Sequence, residues 1–214
     1  MNNDTAVHVA WSKQAADRPG TFLVLALHGR GANEESMLQL AQYLPASATV
    51  AAMRAPIAEG AGFAWFANRG IGRPIEESIK NSVTIIESWI DQHSQGFSGV
   101  VLLGFSGGTA MAGGLMLSDP KRYSAAVLLS GTLPWDAGFD TSEGVLVDLP
   151  VFWGNDVDDQ VIPASLVERS EQWLREASGA QLDEHHYPGM NHGISGEEIS
   201  DLSSFLLSVE PKVR

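Results

Sequence analysis

The segment Gly104-Phe105-Ser106-Gly107-Gly108 matches the pattern G-x-S-x-G. Such a serine does nucleophilic chemistry when a tight turn exposes its hydroxyl, because neighbouring Cβ atoms would block the turn and glycines do not. Two similar segments, Gly96–Gly99 and Gly193–Gly196, lack the closing glycine. A serine hydroxyl at neutral pH needs a general base, and the base needs an orienting acid. Of six histidines, His192 stands out. It lies in Tyr187-Pro188-Gly189-Met190-Asn191-His192-Gly193, a turn-rich stretch after the last predicted strand. His185 and His186 fall inside that strand, one expected on each face. His28 ends an apolar strand and is expected beneath the following loop, and His8 and His93 read as surface residues.

For the acid, three aspartates compete in Asn155-Asp156-Val157-Asp158-Asp159-Gln160-Val161-Ile162-Pro163. Asp159 is the choice because it comes last, just before the chain enters a helix, and Asp156 and Asp158 stay open as alternatives. The cluster lacks the glycine and glutamate spacing of an EF-hand, so no metal is expected. An oxyanion would need backbone N–H donors. Gly107, at the start of the helix after the serine, is one candidate. Arg30, in the loop His28-Gly29-Arg30-Gly31, is the other, with its side chain free to pair with Glu34 or Glu35.

These groups need elements to position them. Phe22–His28 is a continuous apolar run, as expected of a strand buried on both faces. A helix is predicted from the Asn33-Glu34-Glu35 turn to Leu44, then a strand over Ala48–Met53. Residues 55–74 read as a long loop. Ile75–His93 carries Ile79, Val83, Ile86 and Ile90 on one helical stripe. Strands are predicted at Val7–Trp11, Val100–Phe105, Ala125–Leu129, Val151–Trp153 and Leu182–Tyr187. Helices are predicted at Thr109–Leu117, Ala164–Ser178 and Glu197–Val209, and Pro134–Val147 is irregular. Repeated strand–helix alternation predicts an α/β fold, a mostly parallel sheet with helices on both faces.

The chain has 214 residues, 44% hydrophobic and 18% charged, which suits one domain over 1–214 with a sizeable core. Its formal charge is −13, from 13 basic and 26 acidic residues. That field repels phosphate backbones and acidic lipid surfaces, so neither nucleic-acid binding nor stable membrane association is expected. There is no cysteine, which excludes disulfides, thiolate metal sites and a cysteine nucleophile. The N-terminal stretch has an early Asp and no apolar core, so no secretory signal is expected, and the chain reads as cytoplasmic.

Four stretches together, LHGRGANEES, GFSGG, Asp159–Pro163 and YPGMNHGIS, make the chain resemble the phospholipase/carboxylesterase family of small α/β-hydrolases. That family includes bacterial carboxylesterases and acyl-protein thioesterases. The order Ser106, Asp159, His192 is that of α/β-hydrolases. The resemblance implies an α/β-hydrolase fold, with Ser106 as nucleophile, His192 as base, Asp159 as acid, and Arg30 and Gly107 as oxyanion donors. It implies no cofactor and suggests a homodimer. The segment from Gly154 to Pro163 is longer than in the thioesterase branch, and the Arg after His-Gly is closer to the bacterial esterases. Trp65 and Phe66 resemble the family's Trp-Phe beside the acyl pocket; Leu133, Trp135 and Met190 are further candidates for its apolar wall. No insertion is long enough for a large cap. The expected substrate is therefore a small ester of short or medium acyl chain, with lysophospholipids and protein thioesters as the rival.

Overall fold

The computed structural model describes residues 7–210; residues 1–6, part of the stretch read as lacking a secretory signal, lie outside it, as do 211–214. In chain order the strands are β1 (Val9–Trp11), β2 (Phe22–Leu27), β3 (Ala48–Met53), β4 (Ile57–Glu59), β5 (Gly62–Ala64), β6 (Val100–Phe105), β7 (Ala125–Leu129), β8 (Pro150–Asn155) and β9 (Gln181–His186). The α-helices are α1 (Glu34–Leu38), α2 (Glu76–His93), α3 (Gly107–Ser118), α4 (Ala164–Glu176) and α5 (Gly196–Ser208). Seven strands form one sheet in the order β1-β3-β2-β6-β7-β8-β9. Only β1 runs antiparallel, against β3.

The apolar runs have the meaning a two-sided sheet gives them. Along β2, Leu23, Leu25 and Leu27 join a cluster with α2 and α3, whereas Phe22, Val24 and Ala26 join a second cluster with α1 and α5. All six are buried, so both faces must be apolar and no alternation of polar residues appears. Among the described residues no helix is long and apolar enough to cross a membrane.

The strand order reverses between β2 and β6. The chain leaves β2 toward β3 on one side, then returns to place β6 on the other. In open parallel sheets such a switch point leaves a crevice beyond the strand ends, because the two connecting loops part there. Leu27 of β2 pairs with Gly104 of β6, so the loop after each strand opens into that crevice.

Two elements differ from the sequence expectation. The predicted helix over 33–44 is α-helical only to Leu38 and tightens into a 3₁₀ segment over Gln39–Tyr43. Residues 55–74 contain the hairpin β4–β5, whose three-residue strands are too short to show a period. The hairpin docks on the loop after β2: the Gly31 N–H donates to Phe63 O at 2.8 Å, and the Phe63 N–H to Ala32 O at 2.9 Å. A Cβ at Gly62 would overlap the Gly31 carbonyl, so only glycine permits this approach.

Candidate active site

Ser106 is the residue between β6 and α3, with φ 55° and ψ −114°. Such a conformation costs of order 1–3 kcal/mol in a non-glycine residue and persists only where its surroundings hold it. They do so here. The Ser106 N–H donates to Leu129 O at 3.0 Å. The Thr109 hydroxyl lies 2.9 Å from Gly104 O and 2.6 Å from Leu129 O. A Cβ at Gly108 would strike the Leu27 carbonyl, and one at Gly104 the Gly108 carbonyl. The glycines of the motif thus let α3 start directly against the ends of β2 and β6.

Three polar side chains meet at this turn. His192 Nε2 is 2.9 Å from Ser106 Oγ, and His192 Nδ1 is 2.8 Å from Asp159 Oδ2. With the proton on Nδ1, the ring donates to Asp159 and accepts from the serine hydroxyl. The other Asp159 oxygen accepts from the Val161 N–H at 2.7 Å and the Ile162 N–H at 3.0 Å. Asp158 is exposed and approaches the cluster only through its N–H, which donates to Asp156 Oδ1 at 2.9 Å. Asp156 is buried and takes the Asn191 N–H on Oδ2 at 2.6 Å. Backbone N–H groups, that of Asp158 foremost, hold the Asp156 carboxyl below the usual range against its burial. The geometry therefore gives His192 to Asp159, and gives Asp156 a different task.

The loop after β2 faces the same hydroxyl. A Cβ at Gly107 would sit 3.2 Å from the Arg30 nitrogen, so the two backbones leave little room for a side chain between them across the switch point. Among the described residues, neither the Arg30 nor the Gly107 N–H donates to a protein acceptor. The Arg30 side chain turns away: Nε lies 2.6 Å from Glu59 and Nη1 3.0 Å from Phe66 O. This corrects the expected pairing with Glu34 or Glu35, because the hairpin presents Glu59 to the guanidinium and Glu34 is engaged by Arg54 and His8. His28 is buried under the loop. Its Nε2 accepts the Ala55 N–H at 3.1 Å, which leaves the proton on Nδ1, 2.8 Å from Gly29 O. Burial pushes this imidazole down, keeping it neutral. His185 stacks on Phe152, and His186 is exposed.

Beside the serine opens a cleft of about 400 Å³, lined by Phe66, Ile71, Ala110, Leu133, Pro134 and Val161 among others. Phe66 and Leu133 were expected there. Trp65, Trp135 and Met190 are not in its wall. The Trp65 indole N–H is spent on His28 O at 2.7 Å, which turns the ring into the core. Trp135 donates to Ser170 and meets Trp173 edge-on. Met190 packs on the cluster of the opposite sheet face. Ile71 and Val161 were missed; both are part-exposed rim residues, on loops with no periodic signal. Of metal-ligating types, Glu171, Glu184 and His186 lie within 4.8 Å of one another. Glu171 already accepts from Trp153 and Asn155, and Glu184 pairs with Arg175.

A parallel sheet with a serine on a strained strand-to-helix turn at its switch point defines an α/β-hydrolase. Residues 12–209 match the family described as Phospholipase/Carboxylesterase, and the chain belongs to that family; it is a hydrolase acting on ester bonds. It is 28% identical to acyl-protein thioesterase 1 of Kluyveromyces lactis over 94% of this chain and 96% of that protein. Two solved carboxylesterases share its fold over 96% of each chain. That of Bacillus cereus has a TM-score of 0.83 at 20% identity, and that of Mesorhizobium loti 0.81 at 21%.

Proposed function

We propose that this chain is a serine carboxylesterase that cleaves small esters of short- or medium-chain acids. One observation carries the reading: an unbroken Asp159–His192–Ser106 hydrogen-bond chain ends at an apolar cleft beside two unengaged N–H groups. Ser106 Oγ attacks the ester carbonyl as His192 takes its proton. The tetrahedral oxyanion accepts from Arg30 and Gly107; loss of one such donor costs about 2.7–4 kcal/mol in comparable sites. His192 then protonates the departing alcohol, leaving an acyl-Ser106 ester. Water attacks that ester with His192 as base again, and the acid leaves. Asp159 fixes the tautomer and stabilises the imidazolium between these steps.

The chain-length preference follows from the cleft. At about 400 Å³ it lies toward the small end of the range for ligand pockets. A second reading, thioester cleavage, is favoured by the relative named acyl-protein thioesterase 1 and by the apolar rim at Ile71 and Val161, on which a longer chain can lie. The test is p-nitrophenyl esters of increasing chain length beside a palmitoyl thioester and a lysophospholipid, on wild type and Ser106→Ala. Activity peaking at or below about eight carbons supports the first reading; a peak at long chains overturns it. A fluorophosphonate that leaves Ser106 unmodified overturns the serine mechanism.

A further inference from the structure

His192 stands in a stretch between β9 and α5 that forms neither strand nor helix. Among the described residues no ladder of backbone hydrogen bonds fixes it, yet catalysis requires its ring to keep its place relative to Ser106, since a misplacement of about 1 Å can cost about 100-fold. The residues on either side of it are both tied down, each by a side chain from a different strand end. On the N-terminal side, the Asn191 N–H donates to Asp156 Oδ2 at 2.6 Å, with Asn191 itself held at φ 56°. On the C-terminal side, the Ser130 hydroxyl donates to Gly193 O at 2.8 Å.

Both anchors are buried, at about 1% exposure each. Both are themselves fixed. Ser130 is held at φ 42°, and its N–H donates to Gly154 O at 2.8 Å. The second Asp156 oxygen accepts from the Asp158 N–H, and the Asp156 carbonyl accepts from the Asp159 N–H at 3.2 Å. Asp156 thus joins the loop carrying the acid to the loop carrying the base. Ser130 follows Leu129, whose carbonyl takes the Ser106 N–H, so it joins the base loop to the strand that supports the nucleophile. Backbone N–H groups of the base loop also help keep the Asp156 carboxyl ionised, which preserves it as an acceptor.

We infer that Asp156 and Ser130 are a pair of positioning residues that clamp the backbone on both sides of His192, holding its ring between Asp159 and Ser106. The inference rests on the serine-hydrolase reading of the site. The clamp acts only on placement of the base, so its loss lowers turnover while substrate still binds.

The test uses Ser130→Ala, Asp156→Asn and the double variant, with Ser106→Ala as reference. Asparagine offers one acceptor oxygen where Asp156 serves two N–H donors. For p-nitrophenyl butyrate, each single variant is expected to lose about 10- to 100-fold in kcat, with KM changed less than about threefold. Fluorophosphonate labelling of Ser106 slows by a similar factor. The low-field proton resonance of the His192 Nδ1–H weakens as the ring moves off Asp159. The double variant loses less than the product of the singles, because both act on one ring. A folded Ser130→Ala or Asp156→Asn with wild-type kcat and an unchanged imidazole resonance overturns the inference. So does a loss that disappears on cooling to a temperature where the variant is fully folded. Should Asp156→Asn not fold, Ser130→Ala, which removes one hydroxyl, decides the matter alone. Full activity in Ser106→Ala would instead refute Ser106 as the nucleophile, and with it the serine-hydrolase reading, a separate outcome.

Discussion

Glu198 offers a sharp test of the packing beneath the base loop. It stands in the first turn of α5, where Ser195 caps the helix by accepting the Glu198 N–H at 3.0 Å. The spacing Ser195-x-x-Glu198 is that of a capping box, in which the glutamate would reach back to the cap's own N–H. Here the side chain is fully buried and neither carboxylate oxygen has a hydrogen-bond partner among the described residues. It lies against Gly154 at the end of β8, so closely that a Cβ there would overlap it. Burial pushes its pKa up from about 4.5 to about 7, and the nearby Ser195 N–H, which makes no aligned hydrogen bond to the carboxylate, offsets this only in part. A carboxyl raised on folding binds its proton more tightly in the native state. Its cost is absent below about pH 4.5, grows as pH rises toward 7, and is constant above that. The rise corresponds to about 3 kcal/mol of stability lost between those limits. Glu198→Gln keeps the shape and cannot ionise. The stability difference between variant and wild type should therefore move in the variant's favour by about 3 kcal/mol from pH 4.5 to pH 8. In a domain of this size that is a relative Tm gain of about 6–12 °C. Thermal and urea melts of both proteins across that range provide the measurement. A difference that does not vary with pH would refute the reasoning, since it would mean the carboxylate is not desolvated.

Three further outcomes follow from the site and its supports. Asp159→Asn should lower kcat by up to about 10⁴-fold while Asp158→Asn stays within about twofold, because only the former sets the His192 tautomer; equal losses in steady-state kinetics would contradict this. Gly108→Ala should destabilise by about 2–4 kcal/mol or fail to fold, because its methyl enters the Leu27 carbonyl; a denaturant midpoint equal to wild type would contradict it. Ala110→Leu, projecting into the cleft, should reduce kcat/KM for an octanoate ester about tenfold more than for an acetate ester, read from a chain-length series; equal losses would take Ala110 out of the acyl path.

How much of this was legible beforehand differs from element to element. The boundaries of α2 were readable because burial of one face writes a helical period into the residues, those of β6 and β7 because burial on both faces leaves an unbroken apolar run, and the turn at Ser106 because its glycines answer a steric demand. The hairpin β4–β5 was not, since three-residue strands carry no period and their pairing to the Gly31 loop is tertiary. Nor was the wall of the cleft. Trp65, Trp135 and Met190 are apolar residues near the right edge, but each indole N–H of the two tryptophans finds its acceptor away from the cleft, and Met190 packs on the other face of the sheet. The Ser195-x-x-Glu198 spacing was a readable signal of a helix start, but not of a carboxyl left without partners.

By itself the amino-acid sequence determined an alternating α/β chain, a serine on a glycine-bounded turn, and a set of histidines and aspartates able to serve it. Those follow from local sterics and periodicity, which act over a few residues. Which aspartate meets His192, which N–H groups are left unengaged and which side chains tether the base loop were decided only when β2, β6, β7 and β8 came side by side. Those contacts join residues far apart in the chain, and their distances exist only once the sheet is assembled.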